Sequence, residues 1–186
     1  GGSDNEQITC IAETKEGGYL VGGYFNSSSI NLGNGIVLKN RMPLGGGVIE
    51  SEGMIIKYSE IGEVEWGKAI GGDNTDRITC ITETAEGGYA VGGHFDSRSI
   101  DLGNGVGLNN YTQSGSTYYS DGMIIKYDGE GNVEWGKVVG GNNIDEITCI
   151  TETQDGGYAV GGHFRSTTID LGNGVGLNNY TQSGST

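Results

Sequence analysis

The chain has 186 residues, of which 38 are glycine and one is proline, and its formal net charge is −14, from 10 Lys and Arg against 24 Asp and Glu. Glycine follows no three-residue period, which excludes collagen, and regularly recurring Ile, Val, Tyr and Trp exclude a disordered polymer. The acidic balance argues against nucleic acid or an anionic membrane as partner, because counterion release needs a basic face, and no run of about 18 apolar residues offers a membrane span. What remains is an all-β chain with many turns. It opens on "GGSDNEQ" without an initiator Met or a visible signal peptide, and reads as an excerpt or a processed chain.

A repeat governs the order of elements. The motif Ile-Thr-Cys ends at Cys10, Cys80 and Cys149, positions separated by 70 and 69 residues. Three units follow: 1–72, 73–141 and a partial third, 142–186. Between 78–117 and 147–186 only five of 40 positions differ, at Ala85/Gln154, Glu86/Asp155, Asp96/Arg165, Arg98/Thr167 and Ser99/Thr168, all in or beside predicted turns. The one-residue difference in period is assigned to the loop 39–52, whose counterpart is 109–121, as a surface loop would tolerate.

Within the second unit, "RITCITET" (77–84) reads as a strand that ends at the turn "AEGG", and "YAVGGHF" (89–95) as its return strand. "SIDLGNGVGL" (99–108) predicts a small hairpin around an Asn-Gly step. A polar loop leads to "GMIIKYD" (122–128), and "GEGN" turns that strand into "VEWGKVVGG" (133–141). Strict alternation places Ile78 and Cys80 on one face and Ile81 on the other, and Met123 and Ile125 on one face and Ile124 on the other. Strands apolar on both faces suit a sheet sandwiched between neighbours. Four antiparallel strands per unit, repeated, is the layout of β-propeller blades. Two full units and a part fall short of the roughly four blades a ring needs. A segment of a larger propeller or array is the favoured reading, with rings of several chains or unclosed stacks as alternatives.

The run "SDGMIIKYDGEGNVEWGKVVGG", a short acidic link and "ITCITETQDGGYAVGGHF" resembles the bacterial β-propeller repeat often called the SBBP repeat. The first unit departs from the pattern at Ser59, where the second has Asp128. The resemblance implies a secreted or surface-exposed protein, outside the cell, and no defined molecular role.

Several residues are candidates for structure or chemistry. Cys10, Cys80 and Cys149 hold one equivalent place per unit, are not spaced as zinc ligands and read as small buried apolar residues. His94 and His163 stand where the first unit has Tyr24, an exchange no catalytic or metal-bound imidazole would survive. Trp66 and Trp135 are expected to fill the space between units. The pair Gly92 and Gly93 lies inside a strand, where it permits a close neighbour or a bulge. "DGEGN" offers Asp128, Glu130 and Asn132 as a weak calcium option, with a plain hairpin turn preferred, and no other cofactor is suggested. Sequons at Asn26, Asn110 and Asn179 read as chance in a sequence rich in Asn, Ser and Thr.

The loop 109–120, "NNYTQSGSTYYS", has the composition of an adaptable recognition surface. Asn109, Asn110, Tyr111, Tyr118 and Tyr119, with the recurring Asn179 and Tyr180, are the candidate ligand contacts. The resulting expectation is a non-catalytic binding or adhesion module that meets a glycan or a protein, without membrane insertion. The alternative is a spacer or filament-forming array whose units mainly touch one another or other copies. No His, Ser or carboxylate pair stands out from its repeat copies, so an enzyme is not expected.

Overall fold

The computed structural model describes residues 1–41, 50–111, 119–172 and 174–180. All regular structure among them is extended. The strands are β1 (Glu6–Glu13), β2 (Tyr19–Phe25), β3 (Ser29–Gly33), β4 (Ile36–Lys39), β5 (Glu52–Tyr58), β6 (Val64–Ile70), β7 (Asp76–Glu83), β8 (Tyr89–Phe95), β9 (Ser99–Gly103), β10 (Val106–Asn109), β11 (Asp121–Tyr127), β12 (Val133–Gly141), β13 (Asp145–Glu152), β14 (Tyr158–Phe164), β15 (Thr168–Gly172) and β16 (Val175–Asn178). The first unit forms an antiparallel sheet in the order β1-β2-β5-β6, and the second repeats it as β7-β8-β11-β12. The third contributes β13 paired to β14. Among the described residues no sheet closes on itself.

After the second main strand of each unit stands the small hairpin: β3–β4, β9–β10 and β15–β16. Its turn follows from the Asn-Gly step. Asn104 and Gly105 have φ of 54° and 76°, positive at both central positions as a type I′ turn requires. In the first two units the hairpin packs over the fourth strand of its own unit. A side chain at Gly136 would meet Leu102 and Leu108 at 2.9 Å, so glycine there lets β9–β10 sit flat on β12. At the other end of β12, Gly140 and Gly141 pair with Asp170 and Ile169, which ties the third hairpin to the second sheet.

The first strand of every unit carries a bulge. The register slips between Ile8 and Cys10, between Ile78 and Cys80, and between Ile147 and Cys149, leaving a Thr unpaired each time. This corrects the expectation that Ile78 and Cys80 share a face. An extra residue reverses the alternation. Ile78 and Ile81 pack towards the first unit with Leu20, Ile55 and Ile70, whereas Cys80 packs with Ile147 and Ile150 of the third. The β11 expectation holds: Met123 and Ile125 lie in the first of these clusters and Ile124 in the other. A third cluster, with Phe25, Ile30, Leu38, Met54 and Ile56, fills the space under β3–β4. The units therefore stack face to face, and the main cores lie between them.

Candidate functional site

The contacts that join the units recur residue for residue. Gly22 faces Ile78 of the next unit, and a side chain there would lie 2.9 Å from Ile78 Cγ2. Gly92 faces Ile147 in the same way, at 2.8 Å, with Cys80 Sγ at 2.7 Å. Its neighbour Gly93 has a different reason: a Cβ would run into the Arg77 carbonyl across the bulge. The unpaired Thr then bridges units. Thr9 Oγ1 donates to Ile78 O at 2.5 Å, and Thr79 Oγ1 to Ile147 O at 2.5 Å.

Other side chains extend this seam. Trp66 tilts against Tyr89 of the second unit with ring centroids 6.0 Å apart, and Trp135 meets Tyr158 of the third edge-on at 5.7 Å. The tryptophans thus lie between units, as expected. Ala85 N donates to Glu152 Oε2 at 2.5 Å, and Lys15 N to both Glu83 oxygens at 3.2 and 3.0 Å, so each turn is capped by a carboxylate of the following unit.

The three thiols are free, and their exposure follows their place along the stack: Cys80 is buried, Cys10 half-buried and Cys149 exposed. Burial raises the Cys10 thiol and pushes that of Cys80 up to about 11, which keeps both protonated and poorly nucleophilic at neutral pH. His94 Nδ1 lies 3.9 Å from Glu146 Oε2, and His163 Nε2 lies 3.8 Å from the same oxygen. Burial lowers the His94 pKa, with Glu146 and Asp96 opposing it. In the first unit the equivalent Tyr24 donates to Gln7 Oε1 and takes the Arg77 guanidinium over its ring, 4.3 Å from the centroid. These positions form a polar row across the units.

Buried carboxylates mark the junctions, in the links 71–76 and 140–145 that the sequence offers as a further source of carboxylates for the weak calcium option. Asp76 Oδ2 accepts from Ser97 Oγ at 2.6 Å and Gly72 N at 2.8 Å, and Asp145 Oδ2 from Ser166 Oγ at 2.6 Å. Burial raises Asp76 to about 7 against its hydrogen bonds from Ser97 and Gly72, with Glu52 adding to the rise. Burial likewise raises Asp121 to about 6, against donors Tyr111 N and Gly141 N. The signal was present in the recurrent Asp of "GGDNTD" and "GGNNID", but nothing local shows that it turns inward.

The calcium option meets a turn whose oxygens are in use. Asp128 Oδ1 accepts from Glu130 N at 3.0 Å and Asn132 N at 2.7 Å, and Oδ2 accepts from Asn132 Nδ2 at 3.0 Å. Ser59 Oγ closes the first unit's turn by accepting from Glu63 N at 3.1 Å, which explains the Asp-to-Ser exchange. Among the described residues, no group of three or more His, Cys, Asp or Glu side chains is arranged to hold a metal ion.

The recognition loop is partly described, and Tyr118 lies outside the described residues. Asn110 corrects the expectation made for it. It is buried, and its Nδ2 donates to Phe95 O at 3.2 Å and Tyr119 O at 2.8 Å, so its side chain clamps the two ends of the loop instead of facing a ligand. Asn40 repeats the clamp, donating to Phe25 O at 3.5 Å and Glu50 O at 3.0 Å. The clamped spans are nine residues in the second unit and ten in the first, which locates the extra residue of the first period. Asn109 is exposed and Asn179 half-buried. Tyr111, Tyr119 and Tyr180 are exposed, at 49%, 37% and 89%. Tyr111 also hydrogen-bonds Asp170 of the next hairpin, and burial is the main cause of its raised pKa.

No family model matches the chain. Over 137 residues, 74% of its length, it is 28% identical to the regulatory protein FlaEY of Caulobacter vibrioides, and the match covers 13% of that protein. No described helix is long and apolar enough to cross a membrane.

Proposed function

We propose that the chain is a non-catalytic, propeller-type repeat segment, secreted or held at a cell surface, which presents a row of Tyr- and Asn-bearing loops to a glycan or protein. One observation carries this reading. The Asn110 side chain hydrogen-bonds Phe95 O and Tyr119 O at the base of the loop while Tyr111 and Tyr119 are exposed, and the same pair of amide contacts recurs at Asn40. Hydrogen bonds that join the two ends of the loop reduce the ordering entropy that binding through the exposed tyrosines must overcome. Weak sites repeated along one edge gain avidity. Glycan arrays and pull-downs test it. Binding by the chain should fall at least about tenfold in a Tyr111→Ala, Tyr119→Ala, Tyr180→Ala triple variant, and undiminished binding refutes the loop as the site.

A second reading is favoured by the seam itself. Thr bridges, Gly-Ile close approaches and Trp-Tyr contacts all repeat between units, as expected of an array whose blades chiefly contact blades. Self-association without any ligand supports this alternative over the first.

A further inference from the structure

A crevice of about 190 Å³ lies between the first and second units, and none of Tyr111, Tyr119 and Tyr180 lines it. One wall is the end of β6. Trp66 and Ile70 pack against the second unit, so Lys68 between them shares the face turned towards it. The other wall is the second unit's hairpin from Asp101 to Asn104, continued by Asn132 and Val133. Arg41 joins the walls: its Nη1 donates to Gly71 O at 2.8 Å and to Asp101 O at 3.1 Å. The repeat is broken at this point. The place of Arg41 is taken in the second unit by Tyr111, which hydrogen-bonds the Asp170 side chain. Arg41 instead takes a main-chain oxygen. Among the described residues the Asp101 carboxylate is left with one bond, Oδ1 accepting from Gly103 N at 2.9 Å.

We propose that this crevice is a binding site for a single neutral hexose ring, free or at the end of a glycan chain. The lining decides the chemistry. Arg41 and Lys68 offer only donors, Asp101 only acceptors, and the amides of Asn104 and Asn132 both. Charges of both signs stand close together, so a charged ligand is repelled by one as it is drawn by the other. The net charge of −14 adds a general cost for anions. A hydroxyl donates and accepts at once, and a ring carrying several of them can satisfy the whole set. Ile70, Leu102 and Val133 supply apolar surface for the C–H face of such a ring. The volume lies below the roughly 300–1,000 Å³ of sites for drug-sized ligands, which suits one ring rather than a chain.

The test is an NMR titration of the whole chain, read at its backbone amides, with glucose, galactose and mannose, and with maltose and lactose as chain ends. The expected result is saturable shifts with at least one hexose, centred on Lys68, on Asp101 to Asn104 and on Asn132. Binding of a disaccharide as well assigns the site to chain ends, and binding of the free ring alone assigns it to a free sugar. Glucuronate should bind more weakly than the preferred hexose. Lys68→Met keeps the apolar stem and removes the donor. Asp101→Asn installs the residue the first unit carries, Asn31, whose Oδ1 accepts the same turn bond from Gly33 N at 3.0 Å. Each should weaken hexose binding at least about tenfold. Circular dichroism verifies that both variants keep their strands, and the Asn31 precedent guards against a fold that fails. No saturable shift with any of the sugars, shifts centred away from the crevice, tighter binding of glucuronate than of every hexose, or undiminished binding by both folded variants overturns the proposal. The titration reads the amides around the crevice, so its result is independent of whether the tyrosine loops bind a partner.

Discussion

Replacing Gly92 by Ala isolates the contact between units. The new Cβ would lie 2.7 Å from Cys80 Sγ and 2.8 Å from Ile147 Cγ2. Ile147 has little room to retreat, because its Cγ1 is already 3.0 Å from the position of a Cβ on Gly122 and the residue is 5% exposed. Overpacking of this kind costs about 1–3 kcal/mol, and relief of glycine's excess chain entropy offsets roughly 0.5–1 kcal/mol of it. A net loss of about 1–2 kcal/mol is expected. Gly161→Ala is the internal control. Among the described residues a Cβ there meets only Cys149 Sγ, at 2.6 Å, and Cys149 is exposed and able to turn away. That variant should stay within about 0.5 kcal/mol of the parent.

The assay is urea unfolding followed by tryptophan fluorescence, since Trp66 and Trp135 both report on the seam. A double-mutant cycle then assigns the strain. Ile147→Ala alone removes a buried side chain and should cost about 2–4 kcal/mol. With Ile147 shortened, Gly92→Ala should become nearly neutral, giving a favourable coupling of about 1 kcal/mol or more. Equal effects of Gly92→Ala and Gly161→Ala, or strict additivity with Ile147→Ala, would refute the account of Gly92 as the seat of the next unit's isoleucine.

Two further outcomes follow from the seam. Thr79→Val removes the donor to Ile147 O while keeping the side-chain shape, and should destabilise by about 1–2 kcal/mol in urea titrations; Thr148→Val, whose hydroxyl donates within its own unit to Gly161 O, should change stability by less than about 0.5 kcal/mol. Asp76 and Asp121 are raised by burial from 3.8 to about 7 and about 6. The folded state therefore holds protons that the unfolded state releases, so unfolding free energy should fall as pH rises from about 4 to about 7 and level off above. For Asp76 alone the change is about 4 kcal/mol. Asp76→Asn should flatten the curve measured between pH 4 and pH 8, and an unchanged curve would remove Asp76 as its source.

Local signals made the strands legible and long-range ones did not reveal their pairing across units. "YAVGGHF" runs as β8 over the residues expected, because the Gly87 turn before it and the apolar alternation within it are both local. The Asn104-Gly105 hairpin was legible for the same reason. Alternation failed where a residue was inserted against its partner strand. The bulge at Thr79 separates Ile78 from Cys80, and a bulge is a property of the pair rather than of either strand read alone. Asn110 misled in a related way. Its neighbours made it look like loop surface, while its amide is engaged by two carbonyls that are 15 and 9 residues away. The glycine pair shows how much one short run can hold. Gly92 and Gly93 are adjacent and chemically identical, yet a side chain at the first would strike the next unit and at the second the backbone of its own first strand. That division explains why both are needed in the same phrase. The alternation of a strand sends neighbouring residues to opposite faces, so a chain that must admit a neighbour on one face and fold around a bulge on the other needs two glycines in succession.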